Sequence, residues 1–164
     1  LYAYTQDTSA GDTVFGGEGE DLIVGTGGID ILSGDAGADV LFGGGEGDEL
    51  YGGGENDELV GEDGNDYLDG GDGADYLHGG YEADTLFGGE GEDALNGDLP
   101  ELATTGELPD AADIARMGDD YLDGEGGDDS LTGGGGADDA GANDDDGVAH
   151  GLTLARPLRA EMRD

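Results

Sequence analysis

The chain has 164 residues, of which 39 are glycine and 43 are aspartate or glutamate. Only four residues are basic, and the formal net charge is -39. This balance excludes an ordinary globular core, because glycine loses most freedom on folding and like charges repel on compaction. It also excludes a binder of nucleic acid or of an anionic membrane surface.

Two possibilities remain: a disordered acidic chain, or a chain completed by something positive that the sequence does not encode. Cysteine is absent, so disulfides and thiolate metal sites are excluded. No apolar run reaches the length of a membrane span. The first residue is Leu1 and nothing near it reads as a signal peptide. The chain is expected to be an excerpt of a longer protein or a processed product.

From its N-terminal end the chain repeats every nine residues. Aspartates stand at Asp12, Asp21, Asp30, Asp39, Asp48, Asp57, Asp66, Asp75, Asp84 and Asp93. Two residues after each comes an aliphatic side chain: Val14, Ile23, Leu32, Leu41, Leu50, Leu59, Leu68, Leu77, Leu86 and Leu95. Glycine opens the units at Gly16, Gly25, Gly34, Gly43, Gly52, Gly61, Gly70, Gly79, Gly88 and Gly97. Neither a disordered acidic tail nor a halophilic surface requires such a phase.

Typical units read GGEGEDLIV, GDAGADVLF, GGDGADYLH and GGEGEDALN. The first six positions carry turn chemistry, and the last three read as a short strand. Only the middle strand residue points inward. Its neighbours, such as Glu49 and Tyr51, Tyr67 and Asp69, or Tyr76 and His78, face out. One unit alone buries nothing, whereas a stack of units builds a thin continuous core.

These residues resemble the RTX, or haemolysin-type, nonapeptide repeats of bacterial secretion, with pattern G-G-x-G-x-D-x-U-x. The resemblance runs almost continuously from Asp12 to Asn96 and again from Gly118 to about Ala140. It implies an all-β fold, a right-handed parallel β-roll in which two units make one turn of a two-sheet solenoid. It further implies calcium in the turns, between successive coils on the same edge. The position-six aspartates would bridge neighbouring coils, and backbone carbonyls of the glycine-rich stretch from Gly16 to Gly88 would complete the shell.

The residue chemistry agrees with that cation. Calcium takes six to eight oxygens, from carboxylates and carbonyls. The two histidines, His78 and His150, are remote in sequence, which disfavours a softer metal, and magnesium keeps its waters and suits a carbonyl cage poorly. Without metal the stacked carboxylates would repel, so metal binding is expected to supply folding energy. Roughly eight or more ions are expected; eight would supply about +16 and leave about -23.

Some units depart from the pattern. Position four holds Ala10, Glu46, Glu55 and Glu82, where a positive φ would be strained unless Gly45 or Gly54 relieves it. The sites near Ala10 and Glu82 are expected to be the weakest. Position two holds Thr26, Asp35 and Glu62, whose side chains should point outward. Phe15, Phe42, Tyr51, Tyr67, Tyr76 and Phe87 are outer-face residues, expected to pack across strands or to dock a neighbouring domain or a glycan.

After Asn96 the pattern lapses. Residues 98–117 contain Pro100 and Pro109, and residues 110–117 could form a short helix. The ladder resumes at Asp120, Asp129 and Asp138. Asp93 and Asp120 are three nines apart, so the interruption keeps phase. It is either a loop thrown out from one edge or the boundary between two rolls. The expected organisation is repeats over 7–97, an insert over 98–117, further repeats of the roll over 118–141, and a cap or tail over 142–164. Three of the four basic residues, Arg156, Arg159 and Arg163, fall in that tail, which is read as a solenoid cap or a secretion signal.

No catalytic constellation emerges, and an enzyme is not expected. The reading is a calcium-binding structural module that folds on calcium in an exported bacterial protein, secreted or extracellular. The alternatives are an adhesive or spacer module of a cell surface or virion appendage, or the accessory domain of a secreted hydrolase, epimerase or toxin. The expected partners are calcium ions and other domains of the same longer polypeptide.

Overall fold

The structure is a computed structural model in which residues 2–4, 10–98, 120–127, 129–133 and 143–144 are described. The described strands are β1 (Tyr2–Tyr4), β2 (Thr13–Glu18), β3 (Leu22–Val24), β4 (Ile31–Ala36), β5 (Val40–Gly45), β6 (Glu49–Gly54) and β7 (Glu58–Asp63). They continue with β8 (Tyr67–Asp72), β9 (Tyr76–Tyr81), β10 (Thr85–Glu90), β11 (Ala94–Asp98), β12 (Tyr121–Gly126), β13 (Ser130–Thr132) and β14 (Asn143–Asp144).

Consecutive strands fall in different sheets. The odd-numbered strands form one sheet in the order β1-β3-β5-β7-β9-β11-β13, and the even-numbered strands form the other. Every pairing is parallel, and between Thr13 and Asp98 the paired strand residues are eighteen places apart, such as Leu41 with Leu59 and Leu50 with Leu68. One coil is therefore two nonapeptides, and the fold is a two-sheet parallel β-roll with aspartate-rich turns.

The core is the inward row of both sheets. Ile23, Leu32, Leu41, Leu50, Leu59, Leu68, Leu77, Leu86, Leu95, Leu122 and Leu131 form one cluster, with Val14 packed against it. Burial of each such side chain favours the fold by about 1.5–3 kcal/mol. No coil can gain this alone, because each leucine stacks on leucines of adjacent coils, as Leu41 does opposite Leu59.

The strands are longer than the sequence pattern suggests. Most run for six residues, from position seven through position three of the next unit. Backbone pairing is indifferent to side chains, so the glycine pair continues the ladder around the bend. Left-handed backbone occurs at two positions of the unit, not one. Position four has positive φ at Glu46 (73°), Glu55 (77°) and Glu82 (74°), and position two has it at Thr26 (85°), Asp35 (72°), Glu62 (77°) and Glu125 (62°). Gly45 and Gly54 take no positive φ and do not relieve their neighbours.

Pairing runs straight across the interruption. β12 pairs with β10 and β13 with β11, with Leu86 opposite Leu122 and Leu95 opposite Leu131, a separation of 36 rather than eighteen. The intervening length equals one whole coil, so both sheets resume in phase. Residues 99–119, including most of the insert and its expected helix, lie outside the described residues, as do Asp138 and residues 145–164. Two short strands were not expected from the repeat: β1 extends the odd sheet beside β3, and β14 extends the even sheet beside β12.

Candidate metal centre

The turn that leads into each strand places its aspartate on one of two edges. Asp21, Asp39, Asp57, Asp75, Asp93 and Asp129 line one edge, and Asp12, Asp30, Asp48, Asp66, Asp84 and Asp120 line the other. All are buried except Asp12, which is half-buried in the first unit. The columns are held by backbone donors. From Asp12 to Asp93 each aspartate N–H donates to Oδ1 of the aspartate one coil later, at 2.6–2.9 Å. Its own carbonyl accepts the N–H of position seven in that next coil, as Asp39 does from Glu58 at 2.9 Å.

Oδ1 is thus committed to the fold, whereas Oδ2 is not. The Oδ2 atoms of Asp30, Asp39, Asp48, Asp57, Asp66, Asp75 and Asp93 are buried and accept no hydrogen bond. Buried polar atoms of this kind cost about 1–3 kcal/mol each and require an explanation. Electrostatics sharpens the point. Desolvation pushes Asp48 and Asp57 up to about 7, against the opposing backbone hydrogen bond. The neighbouring carboxylates one coil away, Asp66 and Asp30 for Asp48 and Asp75 and Asp39 for Asp57, push the same way. Asp66 and Asp93 rise to about 6 for the same leading reason, and Asp30, Asp39 and Asp75 rise as well. Every one of these shifts would be reversed by a cation.

The glycine at position one explains where such a cation has access to oxygen. A Cβ placed on Gly52 would stand 2.5 Å from Asp57 Oδ2 and 2.6 Å from the carbonyl oxygen of Gly70. On Gly43 it would stand 2.6 Å from Asp48 Oδ2 and 2.9 Å from the Gly61 oxygen. The same closeness to the unit's own aspartate holds at Gly16, Gly25, Gly34, Gly61, Gly70, Gly79 and Gly88. Only hydrogen fits there, and a carboxylate oxygen and a carbonyl oxygen converge on the space that a side chain would fill. The donor set is all hard oxygen, which fits calcium. Among the described residues, no three or more acidic or histidine side chains gather on one point. A shell in these turns therefore combines one or two carboxylates with backbone carbonyls.

The sequence reading missed two members of this arrangement. Gly97 and Gly124 stand against Asp120 and Asp129 as the other glycines stand against their own aspartates. Gly124 was legible as the opening residue of the unit GEGGDDSLT; Gly97 was read as opening a unit, but its partner was not legible, because Asp120 lies beyond the interruption. Asp138 lies outside the described residues. His78 faces outward from β9 yet is only 6 % exposed, with Nδ1 at 3.2 Å from Asn96 Nδ2. Burial lowers its pKa.

A family model of the RTX calcium-binding nonapeptide repeat matches the chain in four copies, at residues 15–50, 42–77, 69–99 and 116–147. The chain belongs to this family. Searches of curated proteins and of solved structures gave no match. The RTX repeat is a structural, non-catalytic calcium-binding module typical of exported bacterial proteins, and the membership places this chain with secreted proteins. Among the described residues no helix is long and apolar enough to cross a membrane.

Proposed function

We propose that the two aspartate columns are the calcium ligands and that ion binding is the event that folds the roll. On each edge, Oδ2 of Asp21, Asp39, Asp57, Asp75, Asp93 and Asp129, or of Asp12, Asp30, Asp48, Asp66, Asp84, Asp120 and Asp138, faces the ion. Carbonyls of the glycine stretch from Gly16 to Gly88 complete its shell. Bound calcium supplies positive charge to the buried Oδ2 atoms of Asp30, Asp39, Asp48, Asp57, Asp66, Asp75 and Asp93, which accept no hydrogen bond. The observation that carries this reading is the row of buried Oδ2 atoms beside glycines that admit no Cβ. Roughly eight ions suit a stack of this length.

The finer context follows from the same reading. Residues 7–97 and 118–141 act as one roll, residues 98–117 as a loop from its edge, and residues 142–164 as its cap. The roll serves as an accessory or spacer module attached to other domains of a longer exported polypeptide, which include an enzyme, a toxin or a surface appendage.

Isothermal titration with calcium tests the ligand assignment. Asp57→Ala should lower the number of ions bound and raise the calcium concentration needed for folding. Glu90→Gln, an exposed acid off the bridging phase, should change neither. Unchanged stoichiometry and midpoint in Asp57→Ala would sink the assignment.

A further inference from the structure

The outer face of the even-numbered sheet carries a second pattern, which the calcium chemistry does not use. Tyr51, Tyr67, Phe87 and Tyr121 run across β6, β8, β10 and β12, with successive ring centroids 5.8, 5.5 and 5.9 Å apart. The rings alternate between the two outward positions of the strand, so they form a zigzag. The remaining places in the same two rows include Glu49, Asp69 and Asp123. The fourth place is Thr85, beside Phe87, so rings alternate with three carboxylates and one hydroxyl in a near-checkerboard.

Each tyrosine is tied to the acid two residues away. Tyr51 Oη donates to Glu49 Oε2 at 3.0 Å, Tyr121 Oη donates to Asp123 Oδ2 at 3.0 Å, and Tyr67 pairs with Asp69. These bonds hold a carboxylate beside each tyrosine ring. Residues 1–115 contain neither lysine nor arginine, so the strands β6, β8 and β10 bring no such cation to the face. Burial raises the carboxyl of Asp69 and the hydroxyls of Tyr51 and Tyr67, and nearby acids raise the two hydroxyls further.

We propose that this face is a docking surface for an arginine-rich polypeptide segment of a partner. A guanidinium lies flat on a ring and donates to the carboxylate beside it, using both halves of the checkerboard at once. Charge selects the partner. Nucleic acid, anionic lipid and a second copy of this acidic chain are all repelled by a net charge of -39. A neutral glycan would stack on the rings but leave the carboxylates without a counter-charge. Lysine carries the charge but lacks the planar fork.

The test uses the full chain in saturating calcium and physiological salt. Fluorescence anisotropy would compare labelled nona-arginine and nona-lysine peptides, with cellohexaose as a neutral competitor. Nona-arginine should bind more tightly than nona-lysine. Tyr67→Leu with Phe87→Leu should weaken it by about tenfold. Tyr76→Leu, on the outer face of the other sheet, should leave it unchanged. If the ladder variant alters calcium-dependent folding, Asp69→Asn with Asp123→Asn replaces it, and chemical-shift changes in the unsubstituted protein must cluster on β6, β8, β10 and β12. Equal binding of the two peptides, an equal loss in Tyr76→Leu, shifts spread over both sheets, or displacement by cellohexaose would each overturn the proposal.

Discussion

Gly52 and Gly54 form a matched pair that isolates the demand of the turn. Both lie on β6, neither has positive φ, and both are glycines that alanine would replace. A Cβ on Gly54 meets nothing within 4 Å, whereas one on Gly52 stands 2.5 Å from Asp57 Oδ2 and 2.6 Å from the Gly70 oxygen. Either substitution restricts the unfolded chain and so favours folding by about 0.4–1 kcal/mol. Gly52→Ala must in addition displace a carboxylate and a backbone carbonyl of the next coil, an overpacking cost of about 1–3 kcal/mol. Neither group is the loose end of a flexible side chain, since Asp57 is anchored by the N–H of Asp39 at 2.8 Å. Urea unfolding in saturating calcium should therefore show Gly54→Ala at or slightly above the parent midpoint and Gly52→Ala clearly below it. Equal midpoints for the two variants would refute the view that the position-one glycine is kept for the space beside the aspartate.

Other consequences are as direct. Leu59 is fully buried between coils, and Leu59→Ala should cost about 2–5 kcal/mol in the calcium-saturated state, measured by the same denaturation. The pH dependence of the metal-free chain has a definite sign. Asp48 and Asp57 titrate at about 7 in the fold against about 3.9 when unfolded. Their charge therefore opposes the fold above pH 7, and the opposition fades as pH falls from about 7 towards 4. In calcium-stripped buffer, β-structure by circular dichroism should increase from pH 8 to pH 5. The calcium needed for folding should rise over the same range, because protons compete for the same oxygens. A metal-free chain equally unstructured at pH 8 and pH 5 would contradict the raised values.

The repeat was legible because one residue type does one job at each phase. Ile23 through Leu95 announce the core, and Asp21 through Asp93 announce the edges, since nothing else explains burying an acid every nine residues. What the pattern concealed belongs to the backbone. Strands such as Val40–Gly45 extend into the glycine pair because carbonyls and N–H groups pair without regard to side chains. The left-handed geometry was only half visible: in the nine units opened by Gly16 to Gly88, positions two and four are each glycine six times, and Thr26, Asp35 and Glu62 at one and Glu46, Glu55 and Glu82 at the other take positive φ without being glycine. The bond from Asp39 N–H to Asp57 Oδ1 joins residues eighteen apart, and it gives the same carboxylate a structural oxygen and a free one. Composition cannot show that division of labour. Cross-strand packing of the outer aromatics was legible for Tyr51, Tyr67 and Phe87, whereas their zigzag order was not, because Tyr51 and Tyr67 occupy different phases of the unit.

The central claim is that calcium completes this fold. The most direct measurement is far-ultraviolet circular dichroism of one sample in chelator, then in excess magnesium, then in excess calcium, all at neutral pH. The account predicts little ordered structure in the first two and a steep, cooperative gain of β signal in the third. The same β signal in all three conditions would contradict it.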